Sequence, residues 1–336
     1  MKNRFFLSII LLLWVCSLPV AAVCDSTLLV KGYTVRTLVL KPDFDGIPIA
    51  VLISKPCPEP SQKAVLYVHG YNDYFFQDHL ADWYLAQGYN FYALELRRYG
   101  RALLPGQIRY DIRRMTDYYE ELDMAVDTIR NGHGNTFMML NGHSMGGLLT
   151  SLYTSDRSEA GIIDALFLNS PFFDLNAGWF TRNILSPVLR CLGGIFPKMN
   201  LPVSSSPYYA ESLHRDFRGE WDFDLALKLM DNIPRAGWFR AIRKAHRTLH
   251  KGLSIKCPVL VMRSDKTGSE SGWNDMIPVT DVVLSVEAIA KWSPVIGINV
   301  EVVTIPEAKH DIILSYPAVR SHAFDELEKW TKRNEE

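Results

Sequence analysis

The sequence is short of cysteine, has no excess of either charge and carries no long apolar run after its first 25 residues. Its five cysteines form no CxxC pair and no Cys/His cluster, which argues against a zinc site. Lys plus Arg number 36 against 37 for Asp plus Glu, a net charge of −1. The basic excess of a nucleic-acid binder is therefore missing. No later stretch is long and apolar enough to span a bilayer. No internal repeat and no low-complexity tract is present. With 48% hydrophobic and 22% charged residues, the chain is neither disordered nor collagenous. At roughly 100–200 residues per domain, 336 residues allow two domains or one large α/β domain with an insertion.

The amino terminus has two cations, Lys2 and Arg4, followed by about 12 apolar residues from Phe5 to Cys16, then Pro19 and the small residues Ala21 and Ala22. These features predict a signal segment over 1–22, cleaved after Ala22, and a secreted or periplasmic product. An uncleaved anchor is the alternative, although the run is shorter than the roughly 20 residues a spanning helix prefers. A lipoprotein reading through Cys24 would want a smaller residue than Val23 before it. Cys24, Cys57, Cys191 and Cys257 remain after cleavage and permit one or two disulfides, in three full connectivities.

Further along, residues 33–41 and 48–55 flank Asp43-Phe44-Asp45-Gly46 and predict a β-hairpin. Short continuous apolar runs at 64–68, 91–94, 136–140, 165–168 and 259–262 predict strands buried on both faces. A last strand is expected at 299–305. Helical spacing occupies 76–87, 114–131, 146–154 and 316–333. Regular alternation of this kind predicts an α/β core with a mostly parallel sheet. From Pro171 to about Ile255 the alternation stops and helical, aromatic-rich sequence takes over. The expected organisation is a core of 23–170 and 256–336 interrupted by a cap at 171–255.

Gly142-His143-Ser144-Met145-Gly146 lies between a strand and a helix, the context a G-x-S-x-G nucleophile turn requires. The sharp turn would lift the Ser144 hydroxyl above the sheet, and a side chain at 142 or 146 would collide with neighbouring chain. The helix opening at Met145 aims its first amides at developing negative charge. After the strand at 64–68, His69-Gly70-Tyr71 can fold back so that the Tyr71 and Met145 backbone N–H groups form an oxyanion hole. Otherwise His69 is a packed core histidine.

Val68-His69-Gly70-Tyr71, Leu94–Arg101, Gly142–Gly147 and Lys309-His310-Asp311 together resemble the α/β-hydrolase superfamily. Within it they are most similar to the branch of monoacylglycerol lipases, lysophospholipases and serine aminopeptidases. The resemblance runs from about 48 to 330 and implies an α/β-hydrolase sheet with an inserted helical cap. It also marks His143 as structural. The chain departs from the branch at Glu95-Leu96-Arg97-Arg98-Tyr99-Gly100, where Asp-x-Arg-Gly-His-Gly is common, and at Tyr74-Phe75, where His-Ser is common.

His310 directly follows the last strand and suits the Ser…Asp…His order of this fold. A neutral imidazole there would take the serine proton and return it to the leaving group. The acid should follow the strand ending at Met262. Asp281 is the first choice if 266–279 is an insertion within that loop, with Asp265 and Asp275 as alternatives. His246 and His250 lie in a basic stretch that predicts a solvated helix face.

Most of the cap aromatics (Phe172, Phe173, Trp179, Phe180, Phe196, Tyr208, Tyr209, Trp221, Phe223, Trp238, Phe239) are expected to form a small core of the cap's own, with the rest lining an acyl pocket. The expected activity is hydrolysis of carboxylic esters, of an acyl-lipid or lysophospholipid kind, through an acyl-enzyme. No cofactor or metal is expected. A small-molecule or lipid ester substrate is, with a transient contact to a membrane surface and no nucleic-acid partner. Two alternatives stand beside this: an aminopeptidase or amidase on the same triad, with Glu211, Asp216, Glu220 or Asp222 binding a free α-amine, and a non-catalytic binding protein on the same scaffold.

Overall fold

The computed structural model describes residues 32–178, 181–201 and 206–335. The expected signal segment, Cys24, Trp179 and Phe180 lie outside the described residues. Eight strands form one sheet: β1 Thr34–Val39, β2 Ile49–Lys55, β3 Lys63–Val68, β4 Tyr89–Glu95, β5 Phe137–His143, β6 Ala165–Asn169, β7 Val259–Ser264 and β8 Val300–Ile305. Their order is β1-β2-β4-β3-β5-β6-β7-β8. The expected hairpin is β1–β2; it and the β2–β4 pair are antiparallel, and every other pair is parallel.

The apolar strand runs are buried on both faces because helices cover both. Val65 and Tyr67 of β3 face helices α1 (Asp78–Ala86) and α8 (Pro317–Asn334). Leu66 and Val68 face α2 (Tyr119–Asp127), α3 (Met145–Asp156) and α6 (Ala236–Leu249). A period of two along the strand thus divides the apolar side chains between two cores.

The insertion between β6 and β7 holds α4 (Ser186–Ile195), α5 (Tyr208–Glu211) and α6, and α7 (Val286–Trp292) lies between β7 and β8. Helix α6 packs its Trp238, Ile242, Ala245 and Leu249 into the same core as α3, so this last helix of the 171–255 segment joins the layer on the sheet face. That corrects the reading of its histidines. His246 shares the buried face with Ile242 and Leu249, at helical spacings of four and three, and is fully buried. His246 Nε2–H donates to the Phe172 carbonyl (2.8 Å) and His250 Nε2–H to the Phe173 carbonyl (2.8 Å). Burial, with Arg243 alongside, pushes the His246 imidazole down to about 3. Lys244, Arg247 and Thr248 supply the solvated side, while Arg243 turns inward to pair with buried Asp174 at 2.8 Å.

The cap aromatics also depart from expectation. Phe173, Trp238 and Phe239 belong to one sheet core, Phe223 to the other, and Phe196 is exposed. Among the described residues they build no core separate from the sheet's. Cys57, Cys191 and Cys257 are free, so none of the disulfides the sequence permits is formed among the described cysteines. No described helix is long and apolar enough to cross a membrane.

Candidate active site

In the parallel ladder, Val68 of β3 pairs with Gly142 of β5. The next residues of the two chains, 69–71 and 143–145, therefore leave the sheet side by side at its carboxyl end. Ser144 occupies this crest at φ 54° and ψ −116°, a strained conformation for a residue with a side chain. The turn is that tight because the chains touch: a Cβ on Gly146 would stand 2.3 Å from the Val68 carbonyl oxygen, and one on Gly142 2.3 Å from Thr150 Oγ1. Helix α3 begins at the next residue.

His310 follows β8 and bridges the serine to an acid. Its Nε2 lies 3.0 Å from Ser144 Oγ and its Nδ1 3.0 Å from Asp281 Oδ2. Asp281 is fully buried, and its other oxygen accepts the Val283 and Leu284 N–H groups at 2.9 and 2.7 Å. That leaves Oδ2 free for the imidazole. Asp281 N–H donates to the Lys266 carbonyl and Gly268 N–H to the Asp281 carbonyl, so the ends of the 266–279 excursion are stitched together. Asp265 accepts the Glu307 N–H at 3.0 Å and does not contact His310. Asp275 is exposed.

Asn169, at the end of β6, orients the histidine loop. Its Nδ2 donates to Asp311 Oδ1 (2.7 Å), and its Oδ1 accepts the Ile312 N–H (3.2 Å). Sequence reasoning passed over Asn169; its one legible signal was a polar residue closing a buried apolar strand.

The loop after β3 lies against the serine: a Cβ on Gly70 would meet Ser144 Cβ at 3.1 Å. Neither the Tyr71 N–H nor the Met145 N–H donates to another group among the described residues. His69 is a packed core histidine, as its alternative reading had it: it is fully buried, and its Nε2 accepts the Leu96 N–H at 3.1 Å. Burial pushes its imidazole down to about 4. The divergent segment Glu95–Gly100 is a brace for this loop. Buried Glu95 accepts the Phe75 and Arg101 N–H groups, while Arg97 pairs with Glu121 and Arg98 with Asp43.

Ser144 and His310 open into a cavity of about 400 Å³. Its wall is mostly apolar, including Leu189, Leu201, Met230, Trp238 and Phe239. Such a wall suits a hydrocarbon chain, and the volume lies in the ordinary range for ligand pockets. None of Glu211, Asp216, Glu220 and Asp222 lines it. Glu211, Glu220 and Asp222 are held by Arg218, Arg320 and Arg215, and Asp216 lies 3.8 Å from His214. Two acids do line the pocket, Asp73 and Glu270, the latter missed because it sits in the polar 266–279 excursion. For Glu270, burial pushes the carboxyl up to about 7.

Asp73, also on the wall, is buried and receives Lys228 Nζ at 2.8 Å. Burial raises its carboxyl, but Lys228, with His143 and His69, outweighs this and holds it below the usual range. Burial likewise pushes the His143 imidazole down. His143 packs 5.0 Å, ring to ring, from His310. Asp73, His143 and Asp311 present one ligand-type atom each within 4.8 Å, so these are the described residues that could approach a cation. Asp73 already has one in Lys228.

The sequence profile of the family described as serine aminopeptidase, S33, matches residues 59–269. A monoacylglycerol lipase of Mycolicibacterium smegmatis is 25% identical over 247 residues, which cover 73% of this chain and 81% of the relative. Among solved structures, a soluble variant of the monoglyceride lipase of Saccharomyces cerevisiae, in complex with a substrate analog, superposes with a TM-score of 0.67 at 16% identity. That match covers 90% of this chain and 96% of the other. Est1E of Butyrivibrio proteoclasticus with bound ferulic acid gives a TM-score of 0.56 at 16% identity, over 87% and 97% of the two chains. These structural likenesses concern the fold.

Proposed function

The chain belongs to the family described as serine aminopeptidase, S33, within the α/β-hydrolase superfamily, and from that premise we propose that it hydrolyses carboxylic esters of apolar acyl groups. The observation that carries this reading is His310 standing 3.0 Å from both Ser144 Oγ and Asp281 Oδ2 at the base of an apolar cavity. In the proposed reaction Ser144 Oγ attacks the ester carbonyl while His310 Nε2 takes its proton. Asp281 holds the tautomer with the proton on Nδ1 and stabilises the imidazolium. The Tyr71 and Met145 N–H groups receive the carbonyl oxygen as it becomes an oxyanion. The tetrahedral intermediate collapses, the alcohol leaves with the proton from His310, and Ser144 carries the acyl group. Water, deprotonated by His310, then releases the acid. The acyl chain lies along Leu189, Leu201, Met230 and Trp238. The monoacylglycerol lipase relative favours a single-chain glyceride or similar acyl lipid, met at a membrane surface. The reading includes export, on the strength of the amino-terminal signal pattern.

The test is hydrolysis of p-nitrophenyl esters from acetate to palmitate by wild type and Ser144→Ala. The expected result is activity rising with medium or long chains and falling about 10⁴- to 10⁶-fold in the variant. Ester activity that survives the substitution overturns the proposal. One observation favours a second reading, action on an amide bearing a free amine: Glu270 is an acid on the pocket wall. Serine-dependent release of p-nitroaniline from aminoacyl anilides, with the esters inert, would select it.

A further inference from the structure

The loop that follows β3 leaves the sheet ladder at His69, and beyond the brace from Glu95 its next turn is held by the cap insertion. Three consecutive residues, Asn72, Asp73 and Tyr74, each bond to the irregular segment Asp224–Leu229 of the cap insertion. Asn72 Nδ2 donates to the Leu229 carbonyl (2.8 Å), and Leu229 N–H donates back to Asn72 Oδ1 (3.0 Å). Tyr110 OH donates to the same Asn72 oxygen at 2.8 Å. Lys228 Nζ donates to Asp73 Oδ1 at 2.8 Å. Asp224 N–H donates to Tyr74 OH at 2.7 Å. Asn72 is at φ 51°, in the left-handed region, which asparagine adopts more readily than most residues, and this turns its side chain amide toward Leu229.

The charge balance points to the same segment. Asp73 is 1% exposed and lies in a group whose other members, His143 and Asp311, supply acceptor atoms. Asp73 Oδ2 and Asp311 Oδ2 are buried without a hydrogen-bond partner. Lys228, 8% exposed, is the cation that reaches this group, and it comes from the cap. Without it, a buried carboxylate would stand two residues from the Tyr71 N–H, opposing the negative charge that the oxyanion develops.

We propose that Asp224–Leu229 is a latch from the cap onto the oxyanion loop, and that Lys228 is its positioning residue: paired with Asp73, it fixes the Tyr71 N–H and neutralises the carboxylate behind it. The inference rests on the oxyanion role of Tyr71 given above. Its consequence is that the cap governs the chemical step, beyond shaping the pocket. A hydrogen-bond donor to an oxyanion contributes about 10²–10³-fold to the rate when correctly placed, and most of that is lost on a displacement of about 1 Å.

The test is steady-state hydrolysis of p-nitrophenyl acetate, whose acyl group is too short to report on the apolar wall. Wild type, Ser144→Ala, Lys228→Met, Lys228→Arg, Asp73→Asn and the double variant Asp73→Asn/Lys228→Met are compared, with thermal melts for each. Lys228→Met is expected to lower kcat about 30- to 300-fold with KM changed by less than about threefold. Lys228→Arg should restore kcat to within about tenfold of wild type, since it keeps the cation. The double variant should exceed Lys228→Met by about fivefold or more, because both buried charges leave together. A loss carried in KM, a kcat for Lys228→Met within about threefold of wild type, or a double variant as slow as the product of the single losses overturns the latch. If Lys228→Met fails to melt cooperatively, Lys228→Arg and the double variant decide on the same criteria. Activity insensitive to Ser144→Ala removes the premise instead, and that outcome is recognisable apart from the others.

Discussion

The floor and the roof of the site are built on different principles. The floor consists of Ser144, His310 and Asp281, at most 7% exposed, on turns that leave β5, β8 and β7 at the same end of the sheet. Each of these side chains is bonded to another, and their backbones are held by close-packed glycines, by Asn169 and by the stitched ends of the 266–279 excursion. The roof, from Phe172 to Phe239, presents apolar side chains to the cavity and leaves others in solvent, with Val188 53% and Ile195 70% exposed. Hydrogen-bonded groups work only within about 0.5 Å of their geometry, whereas apolar walls tolerate exchange of similar volumes. Changes to the floor should therefore alter rate, and changes to the apolar side chains of the roof should alter which ester is preferred; Lys228, a roof residue bonded to the loop beside Ser144, belongs with the floor in this respect.

The largest expected effect sharpens the floor. Asp281→Asn should lower kcat about 10⁴-fold, while Asp265→Asn stays within about threefold; kinetics on the best ester would measure both. Equal losses would break the distinction between the two aspartates. Next, Gly146→Ala should destabilise the fold by about 3 kcal/mol in denaturant unfolding, because its methyl group would press on two backbone oxygens that cannot move aside. On the roof, Leu201→Trp fills part of the cavity. It should shift the preference from long to short acyl chains by about tenfold, with kcat on acetate little changed.

The smallest effect concerns Glu270, whose folded carboxyl is raised from 4.5 to about 7 by burial. The folded state then holds its proton more tightly than the unfolded chain does. Stability contributed by the neutral acid is complete below pH about 4.5 and declines as pH rises to about 7. Glu270→Gln cannot ionise. Between pH 5 and 7.5 it should gain about 1 kcal/mol relative to wild type in urea midpoints, a figure reduced for the solvent access of this carboxyl. No relative gain would mean that Glu270 is hydrated like a surface acid.

Most of the sheet was legible because a strand buried on both faces must be a short run of apolar residues, whatever surrounds it. The hairpin β1–β2, the parallel strands β3 and β5 and the turn at Ser144 all follow from patterns of residues adjacent in the chain. His246 was misread for a reason the same logic explains. Its neighbours Arg243, Lys244 and Arg247 are basic, but the amphipathic period places it on the side of Ile242 and Leu249, and α6 turns that side to the sheet. Composition along the chain suggested solvent; spacing around the helix decided otherwise. The cap aromatics were misassigned because a segment that looks self-contained in sequence packs onto the sheet's two cores.

What the sequence determined by itself was the part of the site that depends on local backbone. Only glycine at 142 and 146 fits a turn packed against its own following helix on one side and the end of β3 on the other, so the elbow around Ser144 is written in five consecutive residues. His310 is fixed by its place after the last strand. Local context ranked Asp281 ahead of Asp265, but only the tertiary structure brings one of them, Asp281, to within hydrogen-bond distance of His310. The excursion 266–279 closes on itself through Lys266 and Gly268, and that closure carries Asp281 to the imidazole. It also brought Lys228 to Asp73, across 155 residues, and put Glu270 on the pocket wall. A side chain's charge and size are local properties, but its partner is set by which loops the packed sheet brings to the same end.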